Sequence, residues 1–97
     1  MPFIQIVDFT TSDIDAVMEI DAAWEKATAG KRTARRQIVT RDRNNPDHHM
    51  VLVFFDSYES AMANSNLPET QTFAARYEAV TKGLTFHDLD VVSDSEL

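Results

Sequence analysis

Residues 54–73 read FFDSYESAMANSNLPETQTF, and the fold is decided by how this stretch is parsed. It opens on the end of an apolar run, Met50 to Phe55, that does not alternate; this predicts a central strand covered on both faces. Ser57 offers a helix N-cap with Glu59 close behind, and Ala61, Met62 and Ala63 carry that helix to a break at Asn64-Ser65-Asn66. Proline suits a first helical position, so a second helix starts at Pro68, with Phe73, Tyr77 and Val80 on its apolar stripe and Gly83 as its stop.

Upstream, Phe3 to Phe9 alternates as a strand, and Thr11 and Ser12 offer caps for a helix with Asp13 and Asp15 in its first turn. Ile14, Val17, Ile20, Trp24 and Ala27 make one apolar stripe of that helix, opposed by Asp15, Glu19, Glu25 and Lys26, and Gly30 supplies a left-handed stop. Thr33 to Arg41 predicts a second strand, residues 42–47 a turn, and His49 to Phe55 the third strand. Leu84 to Val92 predicts the last strand, with Thr85, His87, Leu89 and Val91 on one side and Phe86, Asp88 and Asp90 on the other.

The order strand, helix, strand, strand, helix, strand is that of an α+β domain of ferredoxin-like type, a βαββαβ sandwich with an antiparallel sheet over residues 1–92 and an acidic tail at 93–97. Right-handed crossovers put both helices on one side of the sheet and leave the other bare. A homodimer through that open sheet face, forming a dimeric α+β barrel, is therefore expected.

Composition narrows the function. The chain has 97 residues, 43% hydrophobic and 26% charged, which suits one globular domain whose single core is small. The absence of cysteine excludes disulfides, thiolate metal sites and a cysteine nucleophile. No histidine and carboxylate set has ligand spacing on one helix, so no metal is expected. A net charge of −7 argues against nucleic acid, the apolar runs are too short for a membrane span, and MPFIQIVDF does not read as a signal peptide; a cytoplasmic protein is expected. Six of the nine basic residues lie between Lys31 and Arg43, either as a solvated edge or with one arginine turned into a pocket to hold a carboxylate or phenolate.

Phe55-Asp56-Ser57, Glu59, Ala63, Asn64, Leu67-Pro68 and Phe73 resemble the pattern of the antibiotic-biosynthesis-monooxygenase-like group of dimeric α+β barrels, over nearly the whole chain. Phe55 and Asn64 stand where that group often carries tryptophan and histidine. The resemblance implies a small aromatic or apolar ligand between sheet and helices. The group contains cofactor-free monooxygenases, haem degraders and aromatic cyclases. The positions that serve haem degraders fall at or near Val7, Asn64 and Ala74, with no axial histidine, so no haem and no other cofactor is expected.

A cofactor-free oxygenase needs position, a base and polar contacts. The candidate catalytic residues are His87, Tyr77 and Trp24, and the candidate ligand-binding residues are Asn64, Arg36, His49, Phe55 and Phe73. Each also has a plain structural reading: Trp24 and Tyr77 as core with a wet tip, Asn64 as a helix cap, the arginine as solvated, the histidines as hydrogen-bonded core. Three functions follow as expectations: a cofactor-independent monooxygenase, a non-catalytic ligand-binding or accessory protein, and an aromatic polyketide cyclase.

Overall fold

The computed structural model describes residues 1–97. Its elements run β1 (Phe3–Thr10), α1 (Ile14–Ala27), β2 (Arg36–Asp42), β3 (Asn45–Phe55), α2 (Tyr58–Ser65), α3 (Pro68–Ala79) and β4 (Lys82–Asp90). The four strands form one antiparallel sheet in the order β2-β3-β1-β4, which gives the expected ferredoxin-like fold. The apolar strand β3 is internal, as its composition requires.

Several boundaries differ from the expected ones, each for a local reason. β2 begins at Arg36 instead of Thr33 because the Thr33 backbone N–H donates to Asn64 Oδ1 and its hydroxyl to the Ser60 carbonyl, which ties it to α2. The β2–β3 turn narrows to residues 43 and 44, with Asp42 Oδ1 accepting from the Asn44 N–H. Asp13 is the side chain that caps α1, accepting from Ala16 N–H, while Thr11 braces it and also donates to the Val80 carbonyl at the end of α3. Gly83 belongs to β4, where its φ of 63° turns the chain into the strand. The break between α2 and α3 falls at Leu67, which is extended as a residue before proline must be.

The sheet has two unlike faces. Toward the helices it presents Phe3, Val51, Phe55, Phe9 and His49, all buried. Two small clusters result, Phe3 with Phe55 and Ala61 beneath α2, and Phe9 with Val17 and Val51 beneath α1. Register places three rows across the other face: Arg36, Phe54, Ile4 and Leu89; Ile38, Leu52, Ile6 and His87; Thr40, Met50, Asp8 and Thr85. Nothing in the single chain covers these rows, and Met50 and Leu89 are 37% and 43% exposed. Burial of β3 on both faces is thus not achieved within one chain.

At the edge of this face His48 lies between two carboxylates, its Nε2 2.7 Å from Asp8 Oδ1 and its Nδ1 3.1 Å from Asp42 Oδ2, so that in its protonated form it donates to both. The bonds to Asp42 and then Asp8 hold its proton above the ordinary value of 6.5. Because the folded value is the higher one, the clamp adds stability below about pH 6.5 that is lost as pH rises through the folded value. An NMR titration is expected to place the His48 midpoint above 6.5 and to bring it down in Asp42→Asn; a wild-type midpoint at or below 6.5 would contradict the clamp.

Candidate functional site

Between the two core clusters the layers part around a cavity of about 170 Å³. Ile20, Asp21 and Trp24 reach it from α1, Asn64 from the end of α2, Thr70, Phe73, Ala74, Tyr77 and Glu78 from α3, and the helix-facing side chains of all four strands form its floor. A cavity of this order holds a single aromatic ring. Five rings line it: Trp24, Phe55, Phe73, Tyr77 and Phe86. Phe86, on the edge strand β4, is 57% exposed and sits with the exposed Glu78 on the solvent side. None of α3 is fully buried, so the helix forms a thinly packed wall.

The polar groups divide into committed and free ones. Trp24 Nε1 donates to Thr70 Oγ1 at 3.0 Å, which fixes the indole as a wall. Gln5 Nε2 donates to Asp88 Oδ1 and Gln37 Nε2 to Asp21 Oδ2, each at 3.2 Å. Asn64 is only 6% exposed, and its Oδ1 accepts from Thr33 N–H. Left without a partner in the chain are Asn64 Nδ2, Asp21 Oδ1 and the Tyr77 hydroxyl.

Electrostatics set their protonation. Burial pushes the Asp21 carboxyl up to about 6, with the Gln37 hydrogen bond opposing and the Glu25 charge adding to the rise. Burial, helped by the Asp21 charge, moves the Tyr77 hydroxyl far above its usual range, so near neutral pH it is an uncharged donor and acceptor. Tyr77 also packs edge-on against Phe9 at 5.3 Å.

The structure brings together Trp24, Tyr77, Asn64, Phe55 and Phe73, and separates the other three candidates from them. His87 pairs with Ile6 on the bare face and is exposed, so it does not reach the cavity. Arg36 shares that face, where its guanidinium lies over the Phe54 ring at 5.6 Å. His49 does face the helices, but it is buried against Phe9 and its Nδ1 donates to the Thr40 carbonyl, which makes it a core histidine outside the cavity wall. These placements correct the expectation of a histidine base and an arginine clamp. The rest of the basic run is on the surface: Arg32 lies over Trp24 and reaches the Glu25 carbonyl, Arg35 pairs with Asp56, and Lys31 pairs with Glu69.

Asp21 was not singled out from the sequence, although a signal exists. It stands four residues after Val17 and three before Trp24, a carboxylate on the apolar stripe of α1.

Within the chain, no helix is long and apolar enough to cross a membrane. Neither a family model nor a curated protein matches the sequence. Solved structures do match, and they define the class by its fold. SnoaB from Streptomyces nogalater, a cofactor-independent oxygenase, superposes with a TM-score of 0.80 at 11% identity, over 96% of this chain and 95% of its own. Rv0793 from Mycobacterium tuberculosis gives 0.78 at 11% identity over 99% and 100%. A Chloroflexus aurantiacus protein provisionally assigned as an antibiotic biosynthesis monooxygenase gives 0.75 at 20% identity over 99% and 98%. The chain therefore has the fold of the antibiotic-biosynthesis-monooxygenase structures, along its whole length, in line with the resemblance seen in its sequence.

Proposed function

We propose that this chain binds a small hydroxylated aromatic molecule between sheet and helices and acts on it as a cofactor-independent oxygenase, within a homodimer closed over the bare sheet face. The observation that carries the reading is the cavity itself: five rings surround a space of one-ring size, and three uncommitted polar groups border it. Such a site can hold an electron-rich ring, exclude water and keep a donor beside the ring oxygen as charge develops. When a ring hydroxyl gives up its proton, for which the Asp21 carboxylate is the acceptor in the wall, the resulting phenolate can pass one electron to dioxygen, leaving a phenoxyl radical and superoxide in the same cavity. The likeness in fold to a structure described as a cofactor-independent oxygenase favours this chemistry over transport.

The dimer is supported by surface area. The chain exposes 6542 Å², where a monomer of 11.0 kDa is expected to expose roughly 5,600 Å². The excess of roughly 900 Å², to which the exposed tail after Asp90 also contributes, is of the order of the ~800 Å² that each partner buries in a standard interface. An apolar row of Ile38, Leu52 and Ile6 runs across the face that would be covered.

Oxygen uptake measured against a panel of phenols and hydroquinones tests the activity. Uptake with at least one compound is expected, falling at least tenfold in a folded Tyr77→Phe variant, as expected when a positioned donor is removed. Tight binding with no uptake for any member would instead establish a non-catalytic binder, and turnover of a polyketide without oxygen would establish a cyclase.

A further inference from the structure

The wall of the cavity has an unusual charge balance. Asp21 and Glu78 are its only charged side chains, both are acidic, and no lysine, arginine or histidine lines it. Asp21 is the inner of the two, fixed on one oxygen by Gln37 with the other oxygen uncommitted. The titratable groups around it are Glu25 on its own helix and Tyr77 and Glu78 from α3; the sheet offers it the neutral amides of Gln37 and Gln5. Without a cation this half-buried carboxylate has a donor on one oxygen only, and a ligand can supply one to the other.

We infer that Asp21, oriented by Gln37, is the acceptor that recognises a ring hydroxyl in the cavity, which thereby takes neutral hydroxylated aromatics and rejects their carboxylate counterparts. The inference rests on the reading of the cavity as a site for small aromatics. The Asp21–Gln37 pair stands between the cavity and a shallow groove bordered by Met18, Glu25 and Val39. A ring seated among Trp24, Phe73 and Tyr77 lies within the same walls as Asp21, and a hydroxyl on its rim is the donor assigned to the free oxygen. Burial holds Asp21 at about 6, so at neutral pH it is mostly ionised and a strong acceptor. A carboxylate placed there meets the half-buried Asp21 charge, with the exposed Glu78 adding a second, more screened like charge at the rim and no cation in the wall to compensate. Tyr77, held neutral, does not reverse that balance.

Three probes of one shape separate these effects: toluene, 4-methylphenol and 4-methylbenzoate, titrated near neutral pH into the wild type and into Asp21→Asn. The indole N–H resonance of Trp24, the only tryptophan, reports occupancy. The asparagine amide oxygen can still accept from Gln37, which preserves the local fold, and the toluene titration checks that the variant's cavity is intact. In the wild type, 4-methylphenol is expected to bind about tenfold tighter than toluene, the scale of one charge-assisted hydrogen bond, and 4-methylbenzoate at least tenfold weaker than toluene. In Asp21→Asn, toluene is expected to bind as before, the phenol to lose most of its advantage, and the benzoate to recover. A phenol preference that survives Asp21→Asn, or a benzoate that binds the wild type as well as the phenol does, overturns the inference alone. If no probe binds the wild type at this site, the cavity reading falls and the inference with it.

Discussion

Phe9→Ala is expected to destabilise the protein by about 3–5 kcal/mol, the range for removing a fully buried phenylalanine. Phe9 is 1% exposed and joins every layer of its half of the molecule. It packs with Val17 of α1 and Val51 of β3, stacks on His49 at 5.7 Å, and takes the edge of Tyr77 at 5.3 Å. A domain of this size is stable by only about 5–15 kcal/mol, and here the core is two small clusters with a cavity between them, so there is little neighbouring bulk to collapse into the gap. Urea unfolding at one fixed protein concentration measures the loss, because association would otherwise contribute to the midpoint. The same substitution frees Tyr77 from its packing partner and is expected to weaken ligand binding in whatever fraction remains folded. A loss under about 1 kcal/mol would mean that the α1–sheet contact is not the principal core.

Leu52→Asp is expected to convert the proposed dimer into monomers. Leu52 lies in the middle row of the bare face, between Ile38 and Ile6. Packing two copies face to face about a twofold axis puts each substitution into the interface twice, so a pair of aspartates loses water where only apolar contacts are on offer. Several kcal/mol of lost association is expected, at least a hundredfold in the dimer dissociation constant. The monomer itself should keep its fold, since this face is already open to solvent in the single chain. Sedimentation of wild type and variant over a range of concentrations measures this. A wild type that sediments as a monomer throughout would remove the dimer, and a variant with unchanged association would move the interface elsewhere.

The architecture was legible because its signals are local. Proline at position 68 after an extended Leu67, the serine cap at Ser57 and the unbroken apolar run of β3 each act through backbone geometry within a few residues. The walls of the cavity were largely legible for a related reason: Trp24, Phe73 and Tyr77 lie on helical apolar stripes, and such stripes face the sheet. What sequence could not supply was the sense of each strand. Alternation in β4 separates His87 from Phe86, but only pairing with β1, which sets Phe86 opposite Val7 and His87 opposite Ile6, decides which of them faces the helices. The same holds for Arg36, which faces away from the cavity one residue from Gln37, whose side chain reaches it. Asp21 is poorly legible in the sequence because acids on an amphipathic helix ordinarily belong to its wet side; what holds it at the cavity wall is Gln37, sixteen positions away in the chain and on another element.

The most direct test is a crystal structure of the protein grown with 4-methylphenol. The expected result is a ring in the cavity, in contact with Trp24, Phe73 and Tyr77, with its hydroxyl toward Asp21. A cavity filled by ordered water, or closed by its own side chains with the phenol bound elsewhere, would contradict the account.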